Sequence, residues 1–212
     1  MKWVATVGVA ALALSALSWA GMEEDVSEVR QEWERVKYQV ASTQQPAEFE
    51  KLSRIAENVM ERYPQRAEPA IWHGIVEASY AGAKGGLGAL SLAKNARKSL
   101  EHALSIDPAA LEGSAYTSLG SLYYQVPGWP IGFGDRGKAQ ELLKQGLALN
   151  PNGIDPNYFY GDYLFRSGDY DGAERALRKA LQAPPRAGRA IADEGRRREV
   201  NELLEKVREK RQ

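Results

Sequence analysis

Chemistry in this 212-residue sequence would have to come from two histidines, a lysine beside a glycine run and one aromatic-rich loop. His73 and His102 have no second ligand at metal-binding spacing, and there is no cysteine to supply a thiolate. His73 takes an apolar position of a helical pattern and His102 sits beside Glu101, so both read as structural. Lys84 precedes Gly85-Gly86-Leu87-Gly88. A phosphate loop needs its lysine after the glycines, followed by Ser or Thr, and a dinucleotide fingerprint needs a strand before it. Neither order is met. No constellation of acid, base and nucleophile is spelled out, so no enzyme activity, cofactor, metal or nucleic acid is expected.

The segment Pro127-Gly128-Trp129-Pro130-Ile131-Gly132-Phe133-Gly134-Asp135 holds the stronger signal. Glycine frees the backbone, while Trp129, Ile131 and Phe133 are costly to leave in water. Two readings stand. The rings fold back and plug a neighbouring edge, or they line a ligand or partner site, where aromatics carry much of the binding energy. Lys84 would add a charge at the rim of such a site. Asp135 suits the cap of the helix that follows.

The elements that must position these residues are helices, and residues 157–185 show of what kind. Tyr160-Gly161, Leu164, Ala173, Leu177, Ala180 and Pro185 fall at the offsets of a helix–turn–helix repeat of about 34 residues. Gly168-Asp169-Tyr170 supplies the turn, small residues at Gly161 and Ala173 let the two helices approach, and Pro185 stops the second. On these residues the segment is identified as a member of the tetratricopeptide repeat family. The resemblance implies an all-α, right-handed solenoid that binds rather than catalyses.

The same mould fits earlier in the chain. Helix-ending prolines at Pro64, Pro108, Pro151 and Pro185 give periods of 44, 43 and 34. His73-Gly74, Ala96, Leu100 and Ala103 mark one unit. Tyr116, Leu119-Gly120, Tyr123, Ala139, Leu143 and Gly146 mark the next. Leu52, Ala56 and Val59 mark a degenerate first unit whose leading helix lacks the Leu-Gly pair. The extra residues of the two long units, 82–88 and 127–135, read as loops between first and second helix, neighbours along one edge of the stack. Along the concave face, repeat offsets place Ser114, Thr117, Ser121, Tyr124 and Gln125, then Tyr158, Asp162, Phe165 and Arg166. Such a groove suits a peptide or small amphipathic ligand, or is plain surface.

Outside the repeats, Lys2, the apolar run 4–17 and Ser18-Trp19-Ala20 read as an export leader with cleavage near Ala20-Gly21. The organisation expected is a leader at 1–20, repeats at 21–185, and a linker and capping helix at 186–212. Val26, Val29, Trp33, Val36 and Val40 form an amphipathic first helix, and Val200, Leu203, Leu204 and Val207 the stripe of the cap. The formal net charge is zero, yet residues 21–50 hold eight acidic and three basic residues while residues 186–212 hold six and nine. That asymmetry reads as two solvated faces or as head-to-tail or partner contacts between ends of opposite sign.

Over about residues 46–207 the exported helical-repeat layout is similar to the T-component of TRAP transporters, periplasmic tetratricopeptide proteins that associate with a solute-binding partner. Members of that class are lipoproteins; with no cysteine here, membrane tethering does not carry over. The expected function is a periplasmic adaptor or scaffold for another protein, with homo-oligomers allowed. The alternative is a direct binder of a small apolar or amphipathic ligand beneath the Trp129 loop.

Overall fold

The computed structural model describes the backbone of residues 7–212 and the side chains of residues 20–212 apart from Leu87. The expected leader lies outside the described residues for its first six positions and outside the described side chains up to Trp19. Its junction Ala20-Gly21 falls within the first helix. Among the described residues there are nine helices: α1 (Val7–Gln39), α2 (Gln45–Arg62), α3 (Ala67–Lys84), α4 (Gly86–Ile106), α5 (Ala110–Gln125), α6 (Arg136–Leu149), α7 (Ile154–Arg166), α8 (Tyr170–Leu181) and α9 (Ala190–Arg211). The fold is all-α and tetratricopeptide-like. None of the helices in the described part is long and apolar enough to cross a membrane.

Helices pair as α1/α2, α3/α4, α5/α6 and α7/α8, and the seams of the last three pairs share one device. Gly74 of α3 lies against Leu100 of α4, Gly120 of α5 against Leu143 of α6, and Gly161 of α7 against Leu177 of α8. A Cβ on these glycines would come within 2.6, 2.8 and 2.8 Å of the leucine Cγ. Close approach buries all three leucines, each side chain contributing roughly 1.5–3 kcal/mol. Local signals set the ends. Pro46 stands in the first turn of α2. Asp135 and Asp169 cap α6 and α8 by accepting from Lys138 N at 2.9 Å and Gly172 N at 2.8 Å. Helix α8 stops at Leu181, a turn short of Pro185, so that proline is not what ends it.

The first insertion is not a loop. Residues 82–88 extend α3 to Lys84 and start α4 at Gly86, with Gly85 and Gly86 making the turn at φ 60 and 61°. Residues 127–135 are a true loop, held by Gly134 N donating to Pro127 O at 2.9 Å and Asp135 N to Tyr123 O at 2.8 Å. It lies over α4, where a Cβ on Gly132 would sit 3.3 Å from Leu90 Cδ1, rather than against a second loop. At the start of α5, Leu111, Glu112 and Gly113 have φ of 47, 54 and 75°, a left-handed turn that strains its two non-glycine members.

The cap does more than cover the last repeat. Helix α9 packs on α8 and α7 and also reaches α1, so the array closes on itself. Gly195 receives the Tyr38 ring, and Tyr38 Oη donates to Glu199 Oε2 at 3.4 Å.

Candidate binding cavity

Closure leaves a central cavity of about 710 Å³, lined by the first helices of the pairs and by the segment running from α8 into α9. From α1 come Arg30, Trp33 and Lys37, from α3 Trp72, Ile75, Ser79 and Ala83, and from α5 Ser114, Thr117, Ser118, Ser121 and Gln125. Helix α7 gives Asp155, Tyr158, Phe159, Asp162 and Arg166, and the closing segment gives Arg186, Arg189, Arg196 and Glu199. One side of this wall is apolar and aromatic. Trp33 meets Trp72 edge-on with centroids 5.9 Å apart, and its Nε1 donates to Ser79 Oγ at 2.8 Å.

The other side is ionic. Arg186 binds Asp155 at 2.6 Å and Asp193 at 2.7 Å, and Arg196 binds Asp155 at 2.7 Å and Glu199 at 2.6 Å. Lys37 reaches Glu199 at 3.1 Å and Arg189 pairs with the buried Glu34, both bridging the ends of the chain. The guanidinium of Arg196 lies 4.4 Å from the Tyr158 ring centroid and 4.7 Å from that of Phe159, and Arg189 lies 5.4 Å from Trp72. Burial raises the Asp155 carboxyl, but Arg196 and Arg186 outweigh it and hold the group below the usual carboxylate range. Burial pushes the Tyr158 phenol up to about 12 against the pull of Arg196. Burial and then Arg186 lower Arg189 despite Glu34. Charges so engaged position the wall; they are not free to move protons.

Of the residues singled out from sequence, the cavity gathers Ser114, Thr117, Ser121, Gln125, Tyr158, Asp162 and Arg166. Tyr124 stands behind them, its Oη donating to Asp162 Oδ2 at 2.8 Å, while Arg166 Nε reaches the same carboxylate at 3.0 Å. Burial and Asp162 hold the Tyr124 phenol well above its usual value. Phe165 is elsewhere, packed on Tyr170 with centroids 5.8 Å apart. Lys84 leans back on its own helix, Nζ donating to Tyr80 Oη at 3.2 Å.

The loop itself splits the two readings made of it. Phe133 is a plug, edge-on to Tyr123 at 5.4 Å with Arg97 4.6 Å from its centroid. Trp129 and Ile131 are 90% and 70% exposed. None of the three lines the central cavity. His73 is buried with Nδ1 2.8 Å from Ser99 Oγ, and His102 is exposed. Among the described residues no three His, Cys, Asp or Glu side chains form a metal-holding group.

Sequence reasoning missed the arginines of the closing segment and Arg30, Trp33 and Trp72. The one signal for them was the opposite charge of the two ends. The contact it pointed to is made within a single chain.

The sequence profile of the tetratricopeptide repeat family matches residues 131–193. No curated protein matches the chain in sequence. Among solved structures it is similar to a crystal structure of MamA, with a TM-score of 0.47 and 23% identity over 78% of this chain and 90% of that one. A second MamA crystal structure gives 0.45 and 21% over 86% and 91%. PilF of Pseudomonas aeruginosa gives 0.37 and 15% over 88% and 93%.

Proposed function

We propose that this chain, a tetratricopeptide-repeat protein, is an exported, non-enzymatic adaptor that docks a protein partner through the tip of the 127–135 loop. Export is supported by the charged start, apolar run and Ser-Trp-Ala site of residues 1–20. The observation that carries the docking surface is the pair Trp129 and Ile131, 90% and 70% exposed on a loop whose backbone is tied to α5 and whose base is pinned by Phe133. A braced loop presents its apolar tip without an ordering cost on binding, and tryptophan is enriched among residues that dominate interfaces. The adaptor role extends to a solute-binding or transport system, on the likeness of layout given above.

The test is capture of partners from an extract of the exported fraction, with the parent protein and Trp129→Ala side by side, followed by mass spectrometry. A partner held by the parent should lose about 2 kcal/mol or more of affinity in the variant. Equal retention by both would remove the loop from the interface.

A second reading has its own support. The central cavity, about 710 Å³ and lined on one side by aromatic and on the other by charged groups, has the size and mixed lining of small-ligand pockets.

A further inference from the structure

Six cations line the central cavity, and five have a carboxylate in ion-pair contact: Lys37, Arg166, Arg186, Arg189 and Arg196. Arg30 is the exception. Its Nη2 donates to Ser27 Oγ at 3.0 Å, a neutral partner one turn back along α1, and its Nε is buried with no acceptor. Glu34, one turn forward and placed to pair with it, is taken by Arg189 from the closing segment. Closure of the ring therefore strips Arg30 of the carboxylate its own helix offers. A partly buried guanidinium without a counter-charge is costly, and an anion brought by a ligand would relieve that cost.

Apolar surface lies on the same wall. Trp33 is one turn from Arg30 on α1, and Trp72, Ile75, Ala78 and Ala83 of α3 line the same cavity. We infer that the cavity binds a small amphipathic monoanion, its carboxylate or sulfonate on Arg30 and its apolar ring or chain on the Trp33–Trp72 side. The site is separate from the loop tip proposed for the protein partner. The cavity is several times larger than one aromatic ring system, and at about 710 Å³ it limits the occupant to a small molecule.

A pair of dyes with one body tests it on the full chain. 8-Anilinonaphthalene-1-sulfonate carries an anionic group that N-phenyl-1-naphthylamine lacks, and tryptophan energy transfer that persists in Trp129→Ala and falls in Trp33→Phe and Trp72→Phe reports either one in the cavity. The sulfonate should bind at least about tenfold more tightly than the neutral dye, the worth of a charged hydrogen bond. Arg30→Gln should remove that preference and leave neutral-dye affinity unchanged, and Arg30→Lys should keep most of it. Equal affinities for the two dyes in the parent protein, no tryptophan transfer with either, or an unchanged preference in Arg30→Gln would each overturn the inference. Should the Gln variant fold poorly, the parent comparison and the Lys variant still decide. Trp129→Ala should bind the sulfonate as the parent does, so failure here and failure of the docking loop are read separately.

Discussion

Inside three of the helix pairs a glycine faces a leucine, with Gly74 on Leu100, Gly120 on Leu143 and Gly161 on Leu177. Where the ends of the chain meet, α9 and its leading segment lie on α1 through Arg189–Glu34, Lys37–Glu199 and the Tyr38 ring on Gly195. The first kind of seam is apolar, local and repeated. The second is largely ionic, made once, and joins residues more than a hundred and fifty positions apart in its Arg189–Glu34 pair. Apolar seams are set by volume and respond little to salt. Ionic seams gain only as much as their geometry returns after desolvation, so they are conditional on pH, salt and each partner being present.

The largest loss should come from the ionic network beneath the α1–α9 seam, where Arg196 of α9 ties Asp155 of α7 to Glu199. Arg196→Ala leaves Asp155 and Glu199 without a shared cation and strips Tyr158 and Phe159 of their stacked guanidinium. About 3 kcal/mol or more should be lost in urea unfolding. Gly161→Leu attacks the other seam by driving a branched side chain into Leu177, at a cost of about 1–3 kcal/mol. Its melting point should fall equally at low and high salt, whereas the smaller loss in Lys37→Ala, which breaks the partly exposed pair with Glu199 across the α1–α9 seam, should shrink as salt rises. A salt response shared by both would erase the distinction between the seams.

Acid sharpens the comparison further. With Asp155 held below its usual value in the folded state, its stabilising contribution is full above the unfolded carboxylate value near about 4 and is lost as pH falls below it toward the folded value. The packing of α7 against the closing segment and α9 should therefore weaken below pH about 4. In Asp155→Asn the protein should be less stable at neutral pH and lose less on acidification, as followed by thermal melts across that range. The smallest effect belongs to a residue in neither seam. Trp129→Ala should change unfolding free energy by no more than about 0.5 kcal/mol, and a larger drop would mean the ring is structural.

The apolar seams could be read from the sequence because their code is local. Gly161 and Leu177 stand at fixed offsets, and helix packing translates offset into contact. Part of the concave face follows the same rule: Tyr158, Asp162 and Arg166 line the central cavity, while Phe165, one position off that face, packs on Tyr170. The insertions show where the rule stops. Both are glycine-rich, but residues 82–88 contain no proline and are helical on either side of a tight Gly85-Gly86 turn, whereas Pro127 and Pro130 forbid a helix. Whether Trp129 points inward or outward depends on what Phe133 finds beneath it, which is Tyr123 and Arg97 of other helices. The ionic closure was visible only as a charge imbalance between the ends. Which arginine meets which carboxylate is decided by the curvature accumulated over all the repeats.

That closure is also the most direct thing to measure, since the cavity and the isolation of Arg30 both depend on it. The chain has no cysteine, so spin labels at Gln39→Cys and Arg198→Cys, both exposed, report the α1–α9 distance by double electron–electron resonance. Packed helices lie about 10 Å apart axis to axis, so one short, narrow distance is expected, broadening when Glu34→Lys is added. A long, broad distribution in the otherwise unaltered protein, the same with and without Glu34→Lys, would show an open array and contradict the closed ring.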